Sequence, residues 1–324
     1  MEYAGLASDL LRALRGKRSQ PTFARWAGYK SNVAYIWESG RAFPTAAQAL
    51  GLFERKGVDL RALYTSFYRR EPDWMVHASP ASRAGIAAFL DDLRGRTTLR
   101  GLAESTGYSR FAVARWLSGE SEVRLPEFLA LVQGASLRML DFVALLVDPS
   151  QLKSVAADWE RLETARRAAY ELPWSQAVLR ALELWAYRKL PGHEPGFIAG
   201  CLGISQDVEE ACLSLLRQSG QIRLADGRYQ VNESMVVDTR RDPQGAWSAR
   251  AFWTSVALER VHKQSPGAYT YNVFGVSERD FQRVRELQAR HFRELRALIA
   301  QSEPVERVGL VVQHLIELSE PTES

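Results

Sequence analysis

The chain has 324 residues, of which 46% are hydrophobic and 25% charged, with a formal net charge of +4. That length is too great for one small domain, and the hydrophobic content argues for folded modules throughout, which excludes a disordered chain. No stretch approaches the ~20 apolar residues of a membrane span and no export segment opens the sequence, so a cytoplasmic protein without a membrane partner is expected.

Charge is distributed unevenly. Residues 1–150 hold 20 Lys and Arg against 15 Asp and Glu, while residues 151–324 hold 22 against 23. Residues 8–70 alone carry 12 basic and 4 acidic groups, so a polyanion is expected to meet that segment first.

In that segment Leu10, Leu11 and Leu14 form one helical face, and Phe23, Trp26 and Ala27 form a second after the polar break Gly16–Gln20. Gly28 suits the stop of the second helix and the sharp turn that follows, because glycine takes positive φ without steric cost. Lys30 or Ser31 opens a short third helix, with Val33, Ile36 and Trp37 facing inward and Gly40 as its stop. The pattern is that of a helix-turn-helix. Its outward side carries Lys30, Ser31, Asn32 and Tyr35, with Gln20 at the start of the second helix and Lys17, Arg18 and Arg41 on the flanks. A short helix so furnished can enter the major groove of double-stranded DNA, where its side chains reach base edges while neighbouring cations hold phosphates. A helical bundle with a solvated basic face is the plainer alternative.

The unit occurs twice. ARWAGYKSNVAYIWESG, from Ala24 to Gly40, is echoed by AESTGYSRFAVARWLSG, from Ala103 to Gly119, and Gly107, Tyr108 and Trp116 each follow Gly28, Tyr29 and Trp37 by 79 residues. Trp37 and Trp116 are expected beneath the third helices as core residues. The second copy offers Thr98, Ser109, Arg110 and Arg115 outward, but Glu120 and Glu122 weaken phosphate attraction, and residues 79–148 carry 8 basic and 8 acidic groups. DNA contact and a protein-facing role are both open for it. Between the copies, the proline and charge of residues 71–80 predict a linker.

Gln20, Phe23-Ala24, Ala27-Gly28, Ile36 to Arg41 and Pro44-Thr45 resemble the helix-turn-helix of the phage-repressor (Xre-like) family over about residues 8–66. The resemblance implies a five-helix DNA-binding domain, commonly a homodimer, with Gln20, Lys30, Ser31 and Asn32 near bases. Pro21 departs from the acidic or polar residue of the family pattern, which a helix's first turn tolerates.

Residues 151–172 predict a linking helix with Leu152, Val155, Trp159 and Leu162 on one stripe and Arg166 interrupting it. Residues 173–240 predict three helices, SQAVLRALELWAYRKL, EPGFIAGCLG and SQDVEEACLSLLRQSG, then two strands around Asp226-Gly227, a pair favoured in tight hairpins. Helices followed by a hairpin make a winged helix. Its 6 basic and 6 acidic groups between residues 173 and 232, with Asp207, Glu209 and Glu210 opening the third helix, favour a structural or dimerising role over DNA contact. Residues 241–324 predict a small α+β module: a helix from Trp247, a strand over Ala268–Val276, a long helix capped by Ser277 with Asp280, and a strand over Arg307–Ser319. On the long helix Phe281, Val284, Leu295, Leu298 and Ile299 form a face to lie on the strands. Phe252-Trp253, Tyr269 to Val276 and the closing apolar run resemble, more loosely, a domain of unknown function that follows a winged helix in uncharacterised bacterial transcription factors. That resemblance implies regulation but no known ligand; an unknown protein or small-molecule effector is a further expected partner.

No enzyme, cofactor or metal is expected. His193-Glu194 begins like a zinc-protease helix, but Phe197 stands where the second histidine is required. Ser150 to Lys153 matches Ser-x-x-Lys without a companion motif, and the five histidines are scattered. Cys201 and Cys212 fit core thiols of a reducing compartment. The expectation is a mainly α protein: tandem helix-turn-helix domains over 1–70 and 81–150, a winged helix and a small C-terminal α+β domain, acting as a transcriptional regulator on double-stranded DNA.

Overall fold

The computed structural model describes residues 2–95, 97–232, 243–300 and 302–319. It is mainly helical, and among the described residues its only strands form one two-stranded antiparallel hairpin. The chain divides into two compact units, Met1–Arg161 and Leu162–Ser324. The division falls inside a helix and not at residue 150, and residues 71–80 do not separate the two copies.

The N-terminal unit begins with α1 (Tyr3–Arg15), α2 (Gln20–Trp26), α3 (Val33–Glu38), α4 (Ala46–Arg55) and α5 (Leu60–Tyr68). Local chemistry fixes the ends. Ser19 Oγ accepts from Thr22 N–H, Thr45 and Gln48 form a reciprocal capping box, and Asp59 accepts from Ala62 N–H. The second copy follows as α6 (Arg83–Arg94), α7 (Leu99–Thr106), α8 (Arg110–Leu117), α9 (Leu125–Ser136) and α10 (Met139–Ala144). The repeated turns are built alike. Gly28 and Gly107 take φ of +90° and +75°, and Tyr29 on Trp37 and Tyr108 on Trp116 are both edge-to-face at 5.3 Å. The Gly-Tyr pair thus turns the chain and then braces the next helix through its tryptophan.

The copies share one core. Phe89 of α6 lies 4.8 Å from Tyr64 of α5, 5.8 Å from Phe128 of α9 and 5.6 Å from Phe142 of α10, all ring to ring. Trp74, in the segment expected as a linker, packs 5.0 Å from Tyr64, and Met75 beside it is buried. The loops before α4 and α9 meet at an isolated antiparallel bridge between Thr45 and Arg124. There Ala46 N–H donates to Val123 O at 2.8 Å and Leu125 N–H donates to Pro44 O at 3.0 Å. Thr45 and Arg124, Ala46 and Leu125, and Pro44 and Val123 are each 79 residues apart. A reciprocal pair of bonds between equivalent residues is the signature of a two-fold axis, so the two copies are related like the subunits of a dimer within one chain.

The chain passes through α11 (Ala156–Glu171), whose residues on both sides of the division include buried Trp159 and Leu162 and, in the interrupting position, buried Arg166. The second unit continues with α12 (Trp174–Ala181), α13 (Trp185–Arg188), α14 (Phe197–Leu202), α15 (Gln206–Gln218), β1 (Ile222–Ala225) and β2 (Arg228–Val231). The hairpin turns at Asp226 and Gly227, both at positive φ, as the dipeptide predicts. The single helix expected over 175–190 is broken between α12 and α13, where Leu182 and Leu184 are both buried and Trp185 N–H donates instead to Val305 O at 2.7 Å. Cys212 is buried in this core, whereas Cys201, also expected inside, is exposed. Burial pushes the Cys212 thiol up to about 12, and the thiolate is the reactive form. A maleimide at neutral pH is therefore expected to label Cys201 alone in the native protein, with Cys212 following only in denaturant; equal labelling of both would contradict this core.

Two further helices follow, α16 (Pro243–His262) and α17 (Glu278–Ala300), the latter capped as predicted, with Ser277 Oγ accepting from Asp280 N–H at 3.2 Å. The expected strands over 268–276 and 307–319 do not form. Among the described residues neither run finds a hydrogen-bonding edge, and Tyr271, Val273, Val311 and Leu318 stay exposed, as do Leu298 and Ile299 of α17, expected to lie on them. A strand needs a partner as much as a pattern.

Candidate nucleic-acid interface

The first copy holds α3 from behind and leaves its front open. Glu38 is buried, accepting from Arg15 Nε at 2.5 Å, Arg15 Nη2 at 3.2 Å and Gln20 Nε2 at 2.9 Å. Ser8 Oγ donates to Trp37 O and an Arg12 Nη donates to Glu38 O, so α1 grips the C-terminal end of α3 through both backbone and side chain. This changes two expectations. Gln20 is committed to Glu38 and does not reach outward, and the inward face of α3 is Ala34, Trp37 and Glu38, while Ile36 is 38% exposed. The helix begins at Val33, with Asn32 as its N-cap residue, later than Lys30 or Ser31; the phase is set by the buried Glu38.

Lys30, Ser31, Asn32 and Tyr35 are all exposed at the front. Arg41 lies over the Tyr35 ring at 5.3 Å, which places a guanidinium beside the outer face. A second group of cations gathers at the end of α2, where Arg18 and Arg55 stand over Trp26 at 5.0 and 5.1 Å, and Lys56 donates to Ala13 O at 3.0 Å. Lys17 is exposed beside them. Among the described residues no carboxylate lies within ion-pair reach of Lys17, Arg18, Lys30, Arg41, Arg55 or Lys56. The Lys56 ammonium is held below the ordinary lysine range, first by burial and then by the positive charge of Arg18. Like charges have been gathered here without internal neutralisation, which is the condition under which an external anion binds favourably.

Trp26, Arg55 and Lys56 were not anticipated from the sequence. Arg55 and Lys56 lie at the end of α4, about thirty residues beyond Trp26, and no local periodicity relates the two.

The second copy is built differently at equivalent places. Thr98 and Ser109 are spent as helix caps, accepting from Gly101 N–H at 3.0 Å and Ala112 N–H at 3.2 Å. Arg110 is exposed and has no carboxylate partner among the described residues, whereas Arg115 lies 3.8 Å from Glu120, which occupies the position equivalent to Arg41. Ser105 and Gly134 stand where Trp26 and Arg55 form the first copy's flank. Gly134 is required by packing: a β-carbon there would come within 2.7 Å of Thr106 on α7. Phe111, equivalent to Asn32, is 78% exposed.

In the second unit a cleft of about 590 Å³ is lined by His193, Leu213, Arg217 and Tyr229 among others. Behind it Tyr187 Oη lies 3.2 Å from His193 Nδ1, and Glu209, fully buried, accepts from Ala199 N–H at 2.7 Å. Glu209 had been expected among outward acids; only Asp207 and Glu210 remain so. No family model matches the chain, and no curated protein or solved structure is significantly similar to it. Among the described residues no helix is long and apolar enough to cross a membrane.

Proposed function

We propose that this protein is a sequence-specific, double-stranded-DNA-binding transcriptional regulator, with α2 and α3 as a helix-turn-helix and α3 as its reading helix. The observation that carries the reading is the exposed front of α3, with Lys30 and Arg41 at it and Arg18, Arg55 and Lys56 gathered about the end of α2 in the same copy, none of them neutralised by a carboxylate among the described residues. Lys30, Ser31, Asn32 and Tyr35 supply donors and acceptors for base edges, and Lys17, Arg18, Arg41, Arg55 and Lys56 supply phosphate contacts. Titration of a labelled duplex at increasing salt tests this: log affinity is expected to fall linearly with log salt, by about 0.9 for each phosphate neutralised. Salt-independent binding, or none at low salt, overturns the reading.

The helices and hairpin of residues 174–231 read as a winged helix with a structural or dimerising role, since exposed Asp207 and Glu210 stand at the opening of α15. A protein-binding regulator that never touches DNA is the second reading. It is favoured by the uncovered apolar side chains of residues 269–276 and 310–318, and isolation of a stoichiometric protein complex free of nucleic acid would support it.

A further inference from the structure

The two copies are not separate readers on a tether. The bonds Ala46–Val123 and Leu125–Pro44 join residues 79 apart in both directions, so one two-fold axis carries α3 onto α8. The same Gly-Tyr turn and the same edge-to-face tryptophan fix each helix in its copy. The shared aromatic core around Phe89 holds both copies in one compact unit. Both helices present uncovered side chains at equivalent places: Ser31 and Asn32 just before α3, Arg110 and Phe111 in the first turn of α8.

A two-fold-related pair of reading helices matches an inverted repeat, because the duplex has a two-fold axis of its own between the half-sites. In a homodimer the two halves are read by identical residues and the site is a palindrome. Here they are not identical. Asn32 is suited to the N6 and N7 edge of adenine, Arg110 to O6 and N7 of guanine, and the exposed ring of Phe111 to a thymine methyl. The phosphate-holding rim belongs to the first copy alone.

We infer that a single chain reads both halves of an inverted repeat whose halves are unlike, with α3 on one half and α8 on the other. The inference rests on the DNA-binding reading of α3 and extends it to α8, with the first copy as anchor and the second as discriminator.

Selection of bound duplexes from a random library with the full-length protein, repeated with the Asn32→Ala and Arg110→Ala variants, tests it. The expected result is a bipartite motif with two different half-sites whose centres are about one helical turn apart, or a multiple of it. Asn32→Ala is expected to flatten one half and Arg110→Ala the other, each weakening binding to the parent site about five- to hundredfold. Both side chains are exposed, so unchanged thermal transitions show that the variants fold. A motif with a single half, a perfect palindrome, or a motif in which Arg110→Ala alters neither half overturns the inference while leaving α3 as a DNA reader. Failure to enrich any sequence, with no salt-dependent binding, overturns both.

Discussion

Replacing Glu38 with alanine is expected to destabilise the N-terminal unit by about 3 kcal/mol, because it leaves a partly buried Arg15 guanidinium and the Gln20 amide without their acceptor. For a unit of this size that corresponds to a fall of about 6–12 °C in its melting temperature, measurable by circular dichroism or calorimetry. The second copy shows how the loss can be repaired. At the places equivalent to Gln20 and Glu38 it has Leu99 and Leu117, and at the place equivalent to Arg12 it has Asp91, which accepts from both Nε and Nη2 of Arg94, the counterpart of Arg15. In both copies the arginine also donates to the carbonyl three residues on, from Arg15 to Arg18 O at 2.7 Å and from Arg94 to Thr97 O at 3.0 Å. The arginine is thus kept in both copies, while its carboxylate acceptor changes from Glu38 to Asp91. A Glu38→Ala protein that melts within about 1 °C of the parent would show that the network does not hold α3.

The second large effect concerns binding. Lys30→Ala with Arg41→Ala is expected to weaken DNA binding about a hundredfold at low salt, taking about 1.5 kcal/mol for each charge-assisted contact to phosphate or base. The slope of log affinity against log salt is expected to fall by about 0.9 for each of the two that meets a phosphate. Both side chains are exposed, so the melting temperature should hardly move; surface substitutions of this kind stay within about 0.5 kcal/mol. Adding Arg18→Ala and Arg55→Ala should remove the Trp26 flank and reduce the slope further. The result that counts against the scheme is an unchanged slope in the quadruple variant, since the anion would then be held elsewhere.

What was legible in the sequence is what short-range chemistry decides. The turns at Gly28 and Gly107, the hairpin at Asp226-Gly227 and the Ser277 cap each need only residues a few positions apart, and each appears where its motif lies. Partners distant in sequence were the source of error. Gln20 reads as an outward polar residue until Glu38, eighteen positions on, accepts its amide. Residues 268–276 and 307–319 have the composition of strands but find no edge among the described residues. The basic flank was half legible: Lys17 and Arg18 stand next to the predicted turn, while Arg55 and Lys56 arrive through the packing of α4. The two-fold relation was foreshadowed by the 79-residue spacing, but its direction was not, because the contacts that define it belong to backbone atoms.

The clasp between Pro44, Ala46, Val123 and Leu125 is peptide to peptide, and the amide and carbonyl groups it uses are supplied by almost any residue. Mutations that change the exposed face of α3 or α8 therefore leave the clasp intact, and the two copies are free to diverge. Asn32 can drift to Phe111, and Arg41 to Glu120, without the pair coming apart.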